Sequence, residues 1–168
     1  IVWADVEKDN IIIDPDSIKK CITKKTKAVM VVHYSGLVAN MKKIRKICNK
    51  YNLALIEDAA HSIGAKYEND YIGSNDNFCC FSFQAIKHIN TGDGGMLTFK
   101  NKKYLEKAKR MRFFGLSRNL SRLKNDIKRL GYKYEMNQIA ASIGIEQIKK
   151  VNQVVSAHKK NAKILING

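Results

Sequence analysis

The sequence has little of several features that mark common protein classes. Its 168 residues include one proline, one tryptophan and ten glycines, and 45% of the residues are hydrophobic. This composition excludes a collagen-like or disordered chain and is ordinary for a folded domain. No apolar run approaches the roughly 18 residues of a membrane-spanning helix, and the N-terminal residues have no signal-peptide pattern. We therefore expect a folded cytoplasmic protein with no membrane contact.

Cysteine is also scarce, and its spacing is not that of a metal site. Cys21, Cys48, Cys79 and Cys80 include no C-x-x-C pair and no regular repeat. Adjacent side chains on a strand point to opposite faces, so Cys79 and Cys80 would be separated. We expect all four to be reduced core residues of a cytosolic protein, and we expect no metal ion.

Acidic residues are outnumbered, with 15 Asp and Glu against 31 Lys and Arg, which gives a formal charge of +16. A basic face is typical of proteins that bind nucleic-acid phosphates. Here the excess is mostly lysine spread along the chain, without interleaved arginine and aromatic residues and without a zinc-finger or RNA-recognition signature. A solvated basic surface explains the charge better, so we expect no nucleic-acid partner. The positive electrostatic potential of such a surface would also favour the binding of an anionic small substrate.

Two apolar segments on either side of a helical pattern predict a parallel sheet. AVMVVHY (residues 28–34) and LALIED (53–58) are typical of buried parallel strands. Between them, basic residues occupy one face of a predicted helix. Apolar residues recur at helical spacing on the other face, at Met41, Ile44, Ile47, Cys48 and Tyr51. Strand, helix and strand in this order indicate a βαβ unit with a right-handed crossover.

The rest of the chain continues this pattern. AKYENDYIGS predicts a small hairpin with END at its turn, FCCFSF (78–83) and GGMLTFK (94–100) predict strands, and residues 101–111 predict a basic helix. SRNLSRLKNDIKR predicts a polar connection, and residues 136 to about 165 predict one long helix or two in succession. The fold class is therefore α/β, a mostly parallel sheet flanked by helices. We expect both edges of the domain to lie outside this chain.

Polar groups follow three of the predicted strands. His33, Asp58 and Ser82 stand at strand ends, and Lys87 comes five residues after Ser82. In open α/β sheets, ligands bind beyond the carboxyl ends of the strands. Lys87 and Asp58 can therefore reach a common ligand, which this pattern does not identify. We assign no catalytic role to His33, which a place at the sheet edge would explain.

Several linked motifs resemble those of the DegT/StrS family of pyridoxal-phosphate-dependent nucleotide-sugar aminotransferases. They are IEDAAHSIGAKYENDYIGS, FSFQAIKHINTGDGGM, the opening ADVEKDNIIIDPDSIKKCITKKTKAVMVVHYSG and the later GYKYEMNQIAASIGIEQI. They cover nearly the whole chain in family order and spacing. The resemblance implies the large domain of a fold-type I transferase. Residues 1–168 would be its central part, with the phosphate-cup segment before them and a small C-terminal domain after them.

The resemblance implies that Lys87 forms the Schiff base with pyridoxal phosphate and then moves a proton during transamination. Related proteins with histidine at this place are dehydratases, so a lysine here favours transamination. Such chemistry needs a neutral amine, which a partly desolvated site favours. Without the motif, Lys87 would be interpreted as one more surface lysine.

Three further residues are implied to bind the cofactor. Asp58 would hold the pyridine nitrogen protonated, so that the ring can accept an electron pair; a helix N-cap is the structural alternative. His61 would lie near the cofactor ring, unless it is a satisfied, partly buried histidine. Ser82 would donate to the phosphate, unless it merely fills a strand.

The sequence departs from the family at one motif, where GYKYEM stands in place of a motif similar to GYNYRM. The family's asparagine reaches the cofactor phosphate of the neighbouring subunit, and here Lys133 occupies its place. Either Lys133 or Asn137 could serve instead, and the sequence does not decide between them. Gly92, Gly94 and Gly95 are expected to permit a tight backbone path, with no ligand contact required.

The resemblance implies an enzyme that transfers an amino group, with glutamate as the expected donor, to a keto-sugar nucleotide for glycan or antibiotic-sugar synthesis. It also implies a homodimer with shared active sites. The alternatives are a catalytically silent binding or regulatory protein of the same fold and, less favoured, a basic nucleic-acid-binding domain. The sugar, the nucleotide and the carbon position are not predicted.

Overall fold

The structure is a computed structural model in which residues 1–167 are described. Helices and strands alternate as far as residue 58, four further strands follow, and the remaining α-helices lie after residue 104. In chain order the elements are α1 (Pro15–Cys21), β1 (Ala28–Val32), α2 (Met41–Lys50), β2 (Ala54–Asp58), β3 (Lys66–Tyr67), β4 (Asp70–Tyr71), β5 (Phe78–Ser82), β6 (Gly95–Thr98), α3 (Leu105–Met111), α4 (Gln138–Ile148) and α5 (Val151–Asn167).

Four strands form one sheet in the order β1-β2-β5-β6, and β3 and β4 pair separately as the predicted hairpin. β1, β2 and β5 are parallel, whereas β6 runs antiparallel to β5. The predicted mostly parallel α/β sheet with flanking helices is confirmed. The antiparallel direction of β6 is not visible in the sequence pattern, because a short apolar strand reads the same in either direction.

Local sequence signals begin both helices that cover the sheet. Asp14 accepts hydrogen bonds from two backbone N–H groups at the start of α1, and Pro15 follows at a position where its missing N–H costs little. Asn40 accepts from one N–H of α2. α2 then turns Met41 and Ile44, both 0% exposed, toward the sheet. The βαβ unit thus assembles as predicted.

Within the described residues, these helices cover one face of the sheet. Val29 and Val31 of β1 are buried on that face, whereas Met30 and Val32 are 56% and 45% exposed on the other. The prediction of a fully buried strand is therefore wrong for β1 in this chain. The apolar run is present, but the described residues place no element over its second face.

The C-terminal half packs around the loops at one edge of the sheet. The predicted long helical segment is two helices, α4 and α5. A Cβ added to Gly144 of α4 would lie 3.0 Å from Thr91 Cγ2, and one added to Gly64 would lie 3.0 Å from Val155 Cγ2 of α5. The predicted polar connection before α4 is organised by Asn125, whose side chain bonds the backbone at residues 117, 120 and 121.

The cysteines are only partly the expected core residues. All four thiols are free; Cys48 and Cys79 are buried, Cys21 is half-buried and Cys80 is exposed. Burial and the nearby Glu57 carboxylate raise the pKa of Cys79 to about 12, which keeps this thiol protonated. No group of metal-ligating side chains and no helix long and apolar enough to cross a membrane occurs within residues 1–167.

Candidate active site

The three parallel strands end at a common edge of the sheet. Val32 lies opposite Asp58, and Asp58 lies opposite Cys80. Beyond the strands, the N–H of His33 donates to the Asp58 carbonyl (2.9 Å), and the N–H of Ala59 donates to the Cys80 carbonyl (2.8 Å). Because parallel strands exit in the same direction, the segments after β1, β2 and β5 begin side by side.

Strand alternation then separates the predicted site residues into two sets. Asp58 and Cys80 share a face, and Ser82 follows Cys80 by two residues on that same face. This is the face that α2 leaves open, and both Asp58 and Ser82 are half-buried there. His33 continues the alternation of the opposite face and is 0% exposed.

Asp58 keeps one carboxylate oxygen without a protein partner. Its Oδ1 accepts a hydrogen bond from the N–H of Ala60 (3.0 Å), within a turn. Residues 59–65 contain no helix, so Asp58 is not a helix N-cap. Among the described residues no donor reaches Oδ2, which is therefore available to a ligand at the open face.

His61, three residues after Asp58, is held by the segment that follows β1. Its Nδ1 accepts a hydrogen bond from the N–H of Ser35 (3.2 Å). The ring of Tyr34 meets the imidazole edge-on, with centroids 5.5 Å apart and planes at 69°. An N–H donor at Nδ1 requires that nitrogen to be the acceptor, so the proton of the neutral ring is on Nε2.

Lys87 lies in a closed loop between β5 and β6. The N–H of Phe83 donates to the Gly94 carbonyl, and the N–H of Thr91 donates to the Phe83 carbonyl, each at 2.9 Å. These bonds hold the base of the loop. The Lys87 side chain is half-buried, and none of the ion pairs within residues 1–167 includes it.

The glycines after Lys87 serve the backbone path, as their positive φ values show. Gly92 has φ +80° and Gly94 has φ +140°, a region that L side chains rarely adopt. A Cβ on Gly94 would lie 2.7 Å from Met136 Cε, and a Cβ on Gly95 would lie 2.8 Å from the Phe81 carbonyl oxygen. The tight return into β6 therefore requires glycine for steric reasons alone.

The sequence reasoning missed Glu57, which forms a buried pair with His33. Glu57 Oε2 lies 3.0 Å from His33 Nε2, and Asn77 Nδ2 donates to Oε1 at 2.6 Å. Burial raises the pKa of Glu57, but these two hydrogen bonds and the charge of Arg45 outweigh it, so the pKa lies below its ordinary value. The available signal was an acidic residue at a position of the strand that alternation places on the buried face, where a carboxylate requires a hydrogen-bond partner.

Lys133 and Asn137, the two residues that could replace the family's phosphate-contacting asparagine, have different surroundings. Asn137 Oδ1 accepts from the N–H of Ala140 (2.8 Å) and thereby caps α4. Lys133 is paired with Phe113 through an isolated β-bridge, and its Nζ lies 3.5 Å from Glu135 Oε2 with the lysine side chain 54% exposed. The side-chain oxygen of Asn137 thus caps the helix, whereas the Lys133 ammonium is paired with Glu135 and also lies 5.4 Å from the centre of the Phe113 ring.

Two cavities of the described residues lie away from this edge. One, of about 240 Å³, lies beside α3 and is lined by Phe113 and Glu135. The other, of about 550 Å³, is lined by Arg45 and Tyr104 and lies where β2 and β5 begin. Neither contains Asp58, His61, Ser82 or Lys87.

Comparison with known proteins gives a consistent set of relatives. The model of the DegT/DnrJ/EryC1/StrS aminotransferase family matches residues 1–168. The uncharacterized protein MJ1066 of Methanocaldococcus jannaschii is 41% identical over 170 residues, an alignment that covers 97% of this chain and 44% of that protein. The chain thus spans less than half the length of this curated relative.

Solved structures, one of them of an aminotransferase, are similar in fold. AtS13 from Actinomadura melliaura is 34% identical, with a TM-score of 0.95 over 99% of this chain and 47% of its own. PseC from Helicobacter pylori, an aminotransferase involved in the biosynthesis of pseudoaminic acid, is 31% identical, with a TM-score of 0.82 over 89% of this chain and 40% of its own.

Proposed function

Because the chain belongs to the DegT/DnrJ/EryC1/StrS aminotransferase family, we propose that the protein is a pyridoxal-phosphate-dependent aminotransferase. It moves an amino group from an amino acid, glutamate, to a keto-sugar nucleotide. One observation carries the proposal: Asp58 and Ser82 lie on the same open face of the sheet, and the Lys87 loop begins directly after Ser82.

The groups at this edge fit pyridoxal phosphate chemically. Asp58 has an oxygen left over for a protonated pyridine nitrogen. Ser82 Oγ accepts from the N–H of Gln84 (3.3 Å), which leaves its hydroxyl hydrogen free to donate to a phosphate. Lys87 takes part in none of the ion pairs within residues 1–167. His61 offers an Nε2–H donor beside them.

Each residue then has a distinct task. When bound, the cofactor supplies a ring that withdraws electrons from the substrate carbon bearing the amino group. Asp58 holds the ring nitrogen protonated and fixes the orientation of the ring. Ser82 anchors the phosphate end. Lys87 Nζ would hold the cofactor through its amine and would act as the acid–base that moves the proton at the substrate carbon bearing the amino group.

The remaining parts of the proposal concern the whole protein. Residues 1–168 form the central part of a large cofactor domain, and two subunits complete each other's sites in a homodimer. The half-buried state of Asp58 and Ser82, on the face that α2 leaves open, supports this arrangement. Lys133, a cation with a half-exposed side chain, and Asn137, whose cap uses only its side-chain oxygen, are both candidates for the cofactor phosphate of the neighbouring subunit.

The test is a visible absorption titration of the intact protein with pyridoxal phosphate, followed by addition of glutamate. We expect a band that requires Lys87, and we expect glutamate to bleach it. Lys87→Ala should lose both the band and the transfer activity, by about 10²–10⁴-fold for the latter. The control is Lys46→Ala, which should behave as wild type. Lys46 is a solvent-exposed lysine of α2, the helix that packs on the face of the sheet opposite the candidate site.

The same titration distinguishes an active aminotransferase from a catalytically silent protein of the same fold. A band that forms but does not respond to any amino donor would indicate a silent binding protein of the same fold. Absence of the band from a folded intact protein would refute the enzyme.

A further inference from the structure

A buried polar cluster lies directly behind the candidate active site. His33 and Glu57 are both 0% exposed, and their side chains are 3.0 Å apart on the covered face of the sheet. Asn77 donates to the second oxygen of Glu57, so both carboxylate oxygens have protein partners. The roles proposed for the open face make no use of this cluster.

The hydrogen bonds of His33 fix which of its nitrogens carries the proton. The N–H of Ala39 donates to His33 Nδ1 (3.3 Å), so Nδ1 is the acceptor. His33 Nε2 therefore bears the hydrogen and donates it to Glu57. The imidazole thus links Glu57 on β2 to Ala39, the last residue but one before α2.

These bonds close a loop around residues 34–38. His33 anchors its start, because its N–H donates to the Asp58 carbonyl and its own carbonyl accepts from Ser62 Oγ (3.0 Å). Its ring anchors the end at Ala39. The loop turns through Ser35 at φ +51° and Gly36 at φ +82°, a left-handed path that a non-glycine residue follows only when its surroundings hold it.

The 34–38 loop, held in this way, places the N–H of Ser35 where it donates a hydrogen bond to His61 Nδ1. That bond sets the tautomer of His61 and leaves Nε2–H as its free donor. We propose that His33 and Glu57 are positioning residues that hold the 34–38 loop so that His61 presents Nε2–H at the active-site edge. That His61 meets the cofactor rests on the proposed function, whereas its tautomer does not.

The experiment reads the histidine side chains of the intact, cofactor-free protein by long-range ¹H–¹⁵N NMR at about pH 8.5, where imidazoles are neutral. His61→Gln identifies the His61 signals. His33→Gln can place its amide near the position of Nε2 and donate to Glu57, but it has no acceptor at the position of Nδ1 for the N–H of Ala39. Glu57→Gln is the milder change that keeps the volume. Ile44→Ala, buried on the same face without a bond to the loop, controls for lost stability.

We expect wild-type His61 to show one form, protonated at Nε2, and His33→Gln to show a mixture of both forms. Ile44→Ala should keep the wild-type pattern. The Kd for pyridoxal phosphate should rise roughly fivefold in His33→Gln, the value of one hydrogen bond, with a smaller rise in Glu57→Gln.

A single Nε2–H form in both folded variants would overturn the proposal, as would an Nδ1–H form in the wild type. If His33→Gln does not fold, Glu57→Gln decides by the same criterion. If pyridoxal phosphate fails to bind the wild type, the proposed function fails, and the NMR result still decides the positioning role.

Discussion

Along β2, neighbouring carboxylates face opposite sides of the sheet. Glu57 points into the packed layer beneath α2 and is 0% exposed, whereas Asp58 points to the open face and is half-buried. Glu57 has a protein donor for each oxygen, at 3.0 and 2.6 Å. Asp58 has a protein donor for Oδ1, and no described residue donates to its Oδ2.

The difference shows how the same chemical group acquires two roles one residue apart. A buried carboxylate must satisfy both oxygens within the protein, because an unpaired one costs free energy. A carboxylate at a strand end on an accessible face can leave one oxygen for a ligand. The protein donors of each oxygen, rather than residue type, separate the structural acid from the candidate cofactor-binding acid.

The largest expected difference between the two acids is in activity. Asp58→Asn keeps the acceptor for the Ala60 N–H but removes the charge proposed to hold the cofactor nitrogen. We expect transfer activity to fall by about a hundred- to a thousandfold, as for other groups that stabilise developing charge, with thermal stability unchanged. Steady-state kinetics and a melting curve measure both. Asp70→Asn, on the exposed hairpin, is the control; an equal loss there would contradict the assignment.

Stability should show the reverse pattern. Glu57→Ala removes the acceptor of His33 Nε2–H and of the Asn77 amide, so we expect the free energy of unfolding to fall by about 2–6 kcal/mol, at about 1–3 kcal/mol for each of the two donors left unpaired. Denaturant titration measures this.

The comparison for this change is Glu106→Ala, which breaks an exposed pair with Lys109 at 3.2 Å and should cost less than about 1 kcal/mol. Similar losses for the two variants would show that the buried pair has no special role in stability.

The smallest expected effect is on the pH dependence of stability. Since the folded-state pKa of Glu57 lies below its ordinary value, the folded protein holds this proton less tightly than the unfolded chain. Its contribution is present above the unfolded-state pKa of about 4.3 and is lost as the pH falls through the lower folded-state pKa. As the pH is lowered from 6, the free energy of unfolding should therefore fall less in Glu57→Gln than in the wild type. An equal fall in both proteins would argue against an ionised Glu57.

Much of the fold was predictable because its signals are local. The spacing of Met41 and Ile44 predicted α2, and the run at residues 28–34 predicted β1. The polar groups at Asp58 and Ser82 followed from the strand ends. What escaped the sequence were relations between segments, among them the antiparallel β6 and the exposed side of Met30. These depend on which element lies beside a strand, and periodicity carries no information about that.

The sequence by itself determined the strands, the helices α2 to α5 and the family motifs that nominate Lys87, Asp58, His61 and Ser82, because alternation, helical periodicity and motif spacing act over short stretches of chain. Only the tertiary structure decided which acid is satisfied and which is available. That decision depends on Asn77 and His33, which lie 20 and 24 residues from Glu57 and meet it only when the parallel strands align. Their contact is long-range, and so is the distinction between the two carboxylates.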